Sequence, residues 1–283
     1  MYYILYNPLS SNGKSIKSID KVKELLEKEH KEYKTYDIIE VSKEIDEFAS
    51  KMKLDDALVL VGGDGTLHRF VNGIKHLDIE IEVYLFCGGT GNDFGREFKS
   101  RKGKLINITK YIKNLPLYRI NDNEELFING CGFGVDGDVC LMVNNLENKK
   151  KGLNYLKSSI GLLKRFKRYD LELTVDGVRH NFTKVWFISL NNGKYFGGGM
   201  KVSPNSDRTD DILEANIIHS VGFWKLLIIF PLIFLGKHIL FKHVGISQVK
   251  GKNFVVKASK VLNFQTDGEV LTGVEKFIVN RNK

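Results

Sequence analysis

The chain has 283 residues, of which 42% are hydrophobic and 27% charged, and it carries a formal net charge of +9. Those proportions exclude a disordered tail or a collagen-like repeat, and this length ordinarily makes two domains, each burying its own core. Cys87, Cys131 and Cys140 are odd in number and lack paired metal-ligand spacing, which argues against a disulfide framework or a structural zinc and fits a reducing cytoplasm. The N-terminal MYYILYNPLSSNGK has no basic leader, apolar core and small-residue cleavage site in succession, so no secretory signal is expected.

The first third alternates strand-like and helix-like runs. Tyr2–Tyr6 is a short apolar strand, followed by a polar turn and a helix with Ile16, Ile19, Val22, Leu25 and Leu26 at helical spacing. Tyr33–Ile39 reads as a second strand, and Ile45–Met52 as a helix with Ile45, Phe48 and Met52 on one face. Ala57–Val61 is continuously apolar, the mark of a strand covered on both sides, and it runs into Gly62-Gly63-Asp64-Gly65-Thr66 before helical spacing resumes. Ile81–Phe86 is a fourth strand, ending in Gly88-Gly89-Thr90-Gly91-Asn92-Asp93. Repeats of this kind predict a doubly wound α/β domain on a parallel sheet, with ligands at the carboxyl ends of the strands.

Past Leu117 the texture changes, which sets domains at 1–117 and 118–283, with the extreme C-terminus able to return to the first. Short β-type runs dominate: Leu126–Ile128, Tyr169–Val175, Val185–Leu190, Leu213–Ile218, Phe254–Ala258 and Val261–Thr266. A mostly antiparallel β-sandwich with helical insertions is expected, one insertion being Gly152–Arg168. Residues 221–241 hold a ten-residue apolar run, Leu226–Leu235, broken by Pro231 and flanked by Lys225, Lys237 and His238. A spanning helix needs about 20 apolar residues. The segment is expected to be a core helix, an apolar loop or a surface that dips into a bilayer, and not a span.

Three loops share one design, each following a strand and rich in Gly, Ser, Thr, Asn or Asp. Asn7-Pro8-Leu9-Ser10-Ser11-Asn12-Gly13-Lys14 could hold phosphate oxygens on its amides where the next helix begins, although such residues also make ordinary turns. In Gly62–Thr66 the glycines allow close backbone approach to a ligand and Asp64 offers a carboxylate. The loop at 88–93 repeats the arrangement on the next strand, so Asp64 and Asp93 are expected to face one ligand.

With these motifs the chain resembles the catalytic domain shared by bacterial diacylglycerol kinases, sphingosine kinases and ceramide kinases. FINGCGFGVD at 127–136 is similar to the family's FxNxxGxGxD element, and SPNSDRTDD at 203–211 to its APxAxxDDG-like turn. Leu235-Gly236-Lys237-His238 and Asp267-Gly268-Glu269 match its Gly-Lys-His stretch and C-terminal DGE. The resemblance implies an ATP- and Mg2+-dependent lipid kinase acting on a hydroxyl of diacylglycerol or a similar neutral lipid. It further implies that Asn7, Pro8, Ser10, Ser11, Gly62, Gly63, Gly65, Thr66, Thr90 and Asn92 contact ATP. Asp64 would act at the phosphates through magnesium, and Asp93, Asp136 and Lys157 would form a charged network. Asp211, with the backbone of Arg208 and Leu213, would hold a structural magnesium, and Glu269 would be the base for the acceptor hydroxyl.

Five positions depart from the family pattern: Ser11 replaces Gly, Cys87 a frequent Pro, His68-Arg69 an Asn-Glu pair, and Ile212 a Gly. Two alternatives stay open: a soluble-acceptor kinase of the NAD-kinase type, which shares the GGDGT loop, and, motivated by His68-Arg69 and Ile212, a weakened nucleotide- or lipid-binding protein on the same fold. Asn148–Tyr169 holds eight basic residues and no acid. It reads as a solvated face or as a contact with an anionic membrane, where each Lys or Arg contributes about 1 kcal/mol; no nucleic-acid reader motif accompanies it. A cytoplasmic protein, peripheral at the inner face of the membrane, is expected, and the sequence leaves room for a homodimer.

Overall fold

In the computed structural model, which describes residues 1–8, 14–77, 80–88, 92–98, 103–144 and 160–281 (backbone only at 14–16), the chain divides into two units, Met1–Leu115 and Pro116–Lys283. In the first unit the run ALVLVG forms β3 (Ala57–Gly62), buried along its whole length. It lies mid-sheet among β1 (Tyr2–Tyr6), β2 (Tyr33–Asp37), β4 (Glu82–Cys87) and β5 (Leu105–Asn107), in the order β2-β1-β3-β4-β5. The first four strands are parallel; β5 returns antiparallel beside β4 as an edge strand, and the short helix α5 (Thr109–Ile112) follows it.

Strand alternation assigns the two faces. Ile4 packs with Val59, Val61 and Phe86 under Ile19, Val22 and Leu26 of α1 (Lys14–Lys28). Tyr3, one position away and on the opposite face, stacks on Tyr36 and meets Phe48 of α3 (Ile45–Ser50) edge-on. β2 stops at Asp37 rather than at Ile39, because the Asp37 carboxylate accepts the Ile39 N–H at 2.8 Å and caps the short helix α2 (Ile38–Val41).

The second unit is one antiparallel sheet folded on itself. It comprises β6 (Leu117–Ile120), β7 (Asn123–Leu126), β8 (Gly130–Gly134), β9 (Tyr169–Val175), β10 (Val178–Asn191), β11 (Leu213–His219), β12 (Ile246–Gly251), β13 (Asn253–Thr266) and β14 (Glu269–Asn280). β10 pairs β9 with its first half and β8 with its second, and β13 does the same, so four strands close around one core. Such long strands bend only where the ladder breaks. In β10 the register shifts between Phe182 and Val185, with Lys184 at φ 55°; in β13 it shifts between Lys257 and Leu262. The two short strands expected at 254–258 and 261–266 are therefore one bulged strand.

Phe133, Phe264 and Phe277, mutually tilted or edge-on at 4.7–6.0 Å, fill the interior with Tyr118 against Phe264. Burying each such ring stabilises the unit by about 1.5–3 kcal/mol.

Phe127 and Ile128, expected in a strand, instead form the corner between β7 and β8, because the Asp267 carboxylate takes the N–H groups of Ile128 and Asn129 at 2.7 and 2.9 Å. The last strand does not return to the first unit. β14 pairs with β13 and β6, and the Arg281 N–H reaches the Lys252 carbonyl.

Of the insertion at 152–168, residues 160–165 form the described part of helix α7, 166–168 lead without helix into β9, and 152–159 lie outside the described residues. The apolar segment becomes α8 (Phe223–Phe234), with Leu226, Ile229 and Ile233 buried. No helix among the described residues is long and apolar enough to cross a membrane.

Candidate active site

In the order β2-β1-β3-β4 the chain changes direction between β1 and β3, and the crevice outside the carboxyl ends of those strands is where open α/β sheets bind ligands. β1 delivers Asn7, buried, and Pro8, exposed, to that end. Ser10, Ser11, Thr90 and Lys157 lie outside the described residues.

β3 delivers the Gly62–Thr66 turn, from which α4 (Asp64–Gly73) starts without a side-chain cap. A Cβ added at Gly63 or Gly65 would meet nothing within 4 Å, so both peptides border open space. Gly62 differs, because Thr66 packs against it, 2.4 Å from where its Cβ would stand. An uncapped helix start with open glycine peptides suits a phosphate.

Asp64 is turned toward the neighbouring loop. Its carboxylate accepts the N–H of Asp93 at 2.8 Å and of Phe94 at 3.0 Å. Asn92 is buried and spends both ends of its amide in the same joint, accepting the Gly95 N–H at 3.0 Å and donating to the Gly62 carbonyl at 3.4 Å. The Gly88 N–H also reaches the Gly62 carbonyl. Asp93 is buried, with Arg96 3.5 Å away. Asp64 and Asp93 thus meet through the backbone of the second loop. His68 is buried on α4, and Arg69 is exposed.

In the second unit the glycines of FINGCGFGVD serve packing. A Cβ at Gly132 would stand 1.9 Å from the Ile188 carbonyl oxygen, and one at Gly137 2.3 Å from that of Asn263. The second contact presses α6 (Val135–Asn144) against β13 and sets Asp136 beside Gln265, whose amide donates to it at 3.3 Å. The other Asp136 oxygen is shut off from solvent and has no hydrogen-bond partner among the described residues. Desolvation raises the Asp136 pKa to about 6.

The DGE element divides its labour. Asp267 (φ 47°) and Gly268 (φ 97°) make a two-residue hairpin turn between Thr266 and Glu269. Besides its bonds to Ile128 and Asn129, Asp267 lies 3.4 Å from the Gly130 N–H. The Gly268 carbonyl accepts from Asn144 and from the Cys140 thiol. Glu269 opens β14 and is exposed. Asp267 is the residue that sequence reasoning passed over; its conformation-specific turn was visible, its distant partners were not.

The turn at 207–213, expected to hold a structural magnesium, is lined by cations of the chain itself. The Asp211 carboxylate lies 3.4 Å from the Lys252 ammonium. Arg281 donates to the carbonyls of Arg208 at 3.3 Å and Asp210 at 2.7 Å, and to the Asn192 side chain. Leu213 begins β11, paired with Gly251. The Arg208 guanidinium is buried against the Ile128 carbonyl and Asn129 Oδ1. Lys252 and Arg281 thus stand beside the Asp211 carboxylate and the Arg208 carbonyl, two of the three expected ligands. No group of three or more His, Cys, Asp or Glu among the described residues is placed to hold an ion.

The Gly-Lys-His stretch follows directly on α8. Gly236 (φ 68°) closes α8, with Gly236 N–H to Ile233 and Lys237 N–H to Leu232, and His238 is buried with Nε2 3.0 Å from the Val202 carbonyl. Beside α6 and α7 a cavity of about 790 Å³ is lined by Met142, Leu162, Phe166 and Leu262, with Arg165 and Lys260 among its cations.

Residues 1–117 match the diacylglycerol kinase catalytic domain, and residues 130–278 match the YegS C-terminal NAD kinase beta sandwich-like domain. A Bacillus subtilis protein described as "Putative lipid kinase YtlR" is 29% identical over 232 residues, 76% of this chain and 74% of its own. A Mycobacterium tuberculosis protein described as "Diacylglycerol kinase" is 28% identical over 210 residues, 71% and 67% of the two chains. Among solved structures, "a putative diacylglycerol kinase from Bacillus anthracis str. Sterne" superposes with TM-score 0.72 at 24% identity, covering 99% of this chain and 92% of that one, which shows a shared fold. With both domains matched in sequence order, the chain belongs to the bacterial diacylglycerol kinase family and is a kinase with an alcohol group as acceptor.

Proposed function

We propose that the chain uses ATP and Mg2+ to phosphorylate a hydroxyl of diacylglycerol or a similar neutral lipid. The observation that carries this reading is the joint of two glycine-rich loops at the carboxyl ends of β3 and β4, tied by Asp64 and bordering open space at Gly63 and Gly65. Phosphoryl transfer depends on positioning and charge neutralisation more than on covalent chemistry. The open peptides at the start of α4 would receive phosphate oxygens, and Asn7 would stand beside them. Magnesium, when bound, would neutralise phosphate charge, with Asp64 as its carboxylate from the first unit. Glu269 would accept the proton of the lipid hydroxyl, which for a general base is worth about 10²–10⁴-fold in rate. The cavity beside α6 would take acyl chain against Met142, Leu162 and Phe166.

The test supplies ATP labelled at the γ-phosphate together with neutral lipids in mixed micelles, and NAD as a soluble control. Label in the lipid fraction is expected. Label in NAD alone would overturn the reading in favour of a soluble-acceptor kinase, and label in neither would favour a binding protein.

A further inference from the structure

α8 is apolar on two sides, and among the described residues only one of them packs into a core. Leu226, Ile229 and Ile233 point into the second unit. On the other side Trp224 is 76% exposed, Ile228 68% and Leu235 62%, with Pro231 exposed between them. Their spacing of four, three and four residues places them in one stripe along the helix. Leu240, 74% exposed in the turn that follows, extends the same segment. We propose that this outer face of α8 seats the kinase on an anionic lipid bilayer, lying in the plane of the interface.

Three observations choose a bilayer as the occupant. Lys225, Lys237 and Lys242 are exposed on this short segment. Between Glu214 and Asp267 the chain has no acidic residue, so α8 and its flanking turns bring no carboxylate of their own against anionic headgroups. Two-fold pairing of this face with a second copy would instead oppose like charges, because an isologous interface sets each patch against itself. The twelve residues of α8 reach about 18 Å, short of the roughly 30 Å of hydrocarbon, so the helix lies on the membrane and does not span it. A tryptophan at the edge of such a stripe suits the headgroup level.

The inference rests on the reading that the acceptor is a bilayer lipid, and its test separates binding from turnover. The full chain is sedimented with phosphatidylglycerol–phosphatidylcholine vesicles and with pure phosphatidylcholine vesicles, beside a Trp224→Ser/Ile228→Ser variant. The variant is expected to bind the anionic vesicles at least about tenfold more weakly. Trp224 emission, isolated by subtracting a Trp224→Phe variant, should shift to the blue on vesicles and be quenched by brominated acyl chains. Turnover on a short-chain diacylglycerol dispersed as monomer should be unchanged in the double variant, while turnover on vesicles falls with binding. Undiminished vesicle binding by the variant, or a Trp224 emission that vesicles leave unmoved, overturns the proposal. A solution dimer of the wild type that the double variant loses would assign the face to a second copy and also overturn it. Wild-type protein that binds vesicles through Trp224 but phosphorylates neither form of diacylglycerol would retire the acceptor reading and leave the docking face standing.

Discussion

Asp64, Asp136 and Glu269 are three carboxylates in three environments, and each makes a different prediction. Asp64 holds two backbone N–H groups of the next loop, and an amide offers only one acceptor atom for the pair. Asp64→Asn should therefore cost about 1–3 kcal/mol of stability as well as magnesium-dependent turnover; near-normal turnover in the folded variant would refute its assignment. Glu269 is exposed at the start of β14, so Glu269→Gln should leave stability and ATP affinity alone while lowering turnover at least about 100-fold. Both are measured on one preparation, and lost nucleotide binding would move Glu269 to the phosphate site. Asp136 carries a folded-state pKa of about 6 against an ordinary value of 3.8. The folded state holds the proton more tightly in that window, so this group's contribution makes stability fall as pH rises from about 4 to 6. Asp136→Asn should remove that slope and be more stable at pH 7 by up to about 3 kcal/mol. Denaturant melts of both proteins from pH 4 to 8 check it, and parallel pH profiles would count against the assigned cause.

Turns and strand ends, more than strand interiors, hold the second unit's functional elements in place. Arg281, just past β14, donates to two carbonyls and one side chain of the 192–210 region, so Arg281→Met leaves polar groups without their donor. A loss of about 2–4 kcal/mol is expected, whereas a chelator should leave the melting temperature of the nucleotide-free wild type unmoved. A marked drop on adding chelator would restore the structural metal at Asp211. At the end of α8, Gly236 sits at φ 68°, and a Cβ there would stand 3.0 Å from the Lys201 side chain and 3.1 Å from that of Pro204. Gly236→Ala should cost about 1 kcal/mol or more and lower the melting temperature without changing ATP affinity. Strand and helix types along the chain follow from residue periodicity, which is why β1, β3, α1 and β9 match their expected runs closely. The continuity of β13 does not, since a bulge at Lys257–Leu262 looks locally like a strand end.

The net charge of +9 is distributed unevenly, and the acid-free stretch from 215 to 266 should make association with anionic vesicles weaken as salt rises. Screening acts within about 8 Å at physiological ionic strength, so binding that is indifferent to salt would contradict an electrostatic contribution. Of the whole, the two-part α/β and antiparallel β architecture and the glycine-rich strand-end loops were legible in the sequence. Both depend on local pattern: a buried strand must be continuously apolar, and a backbone that borders a ligand must lack side chains. Arg281 as the tie to the 192–210 region, Asp267 as the anchor of the hairpin and Asn92 as a staple were decided only by tertiary structure. Asp267 meets Ile128 across 139 positions and Arg281 meets Arg208 across 73, and no spacing rule encodes a partner that distant. The outer stripe of α8 belongs to the same class. Its apolar residues are plain in the sequence, but which of two apolar faces the core would take was settled by packing against Trp186, Ile218 and Val221.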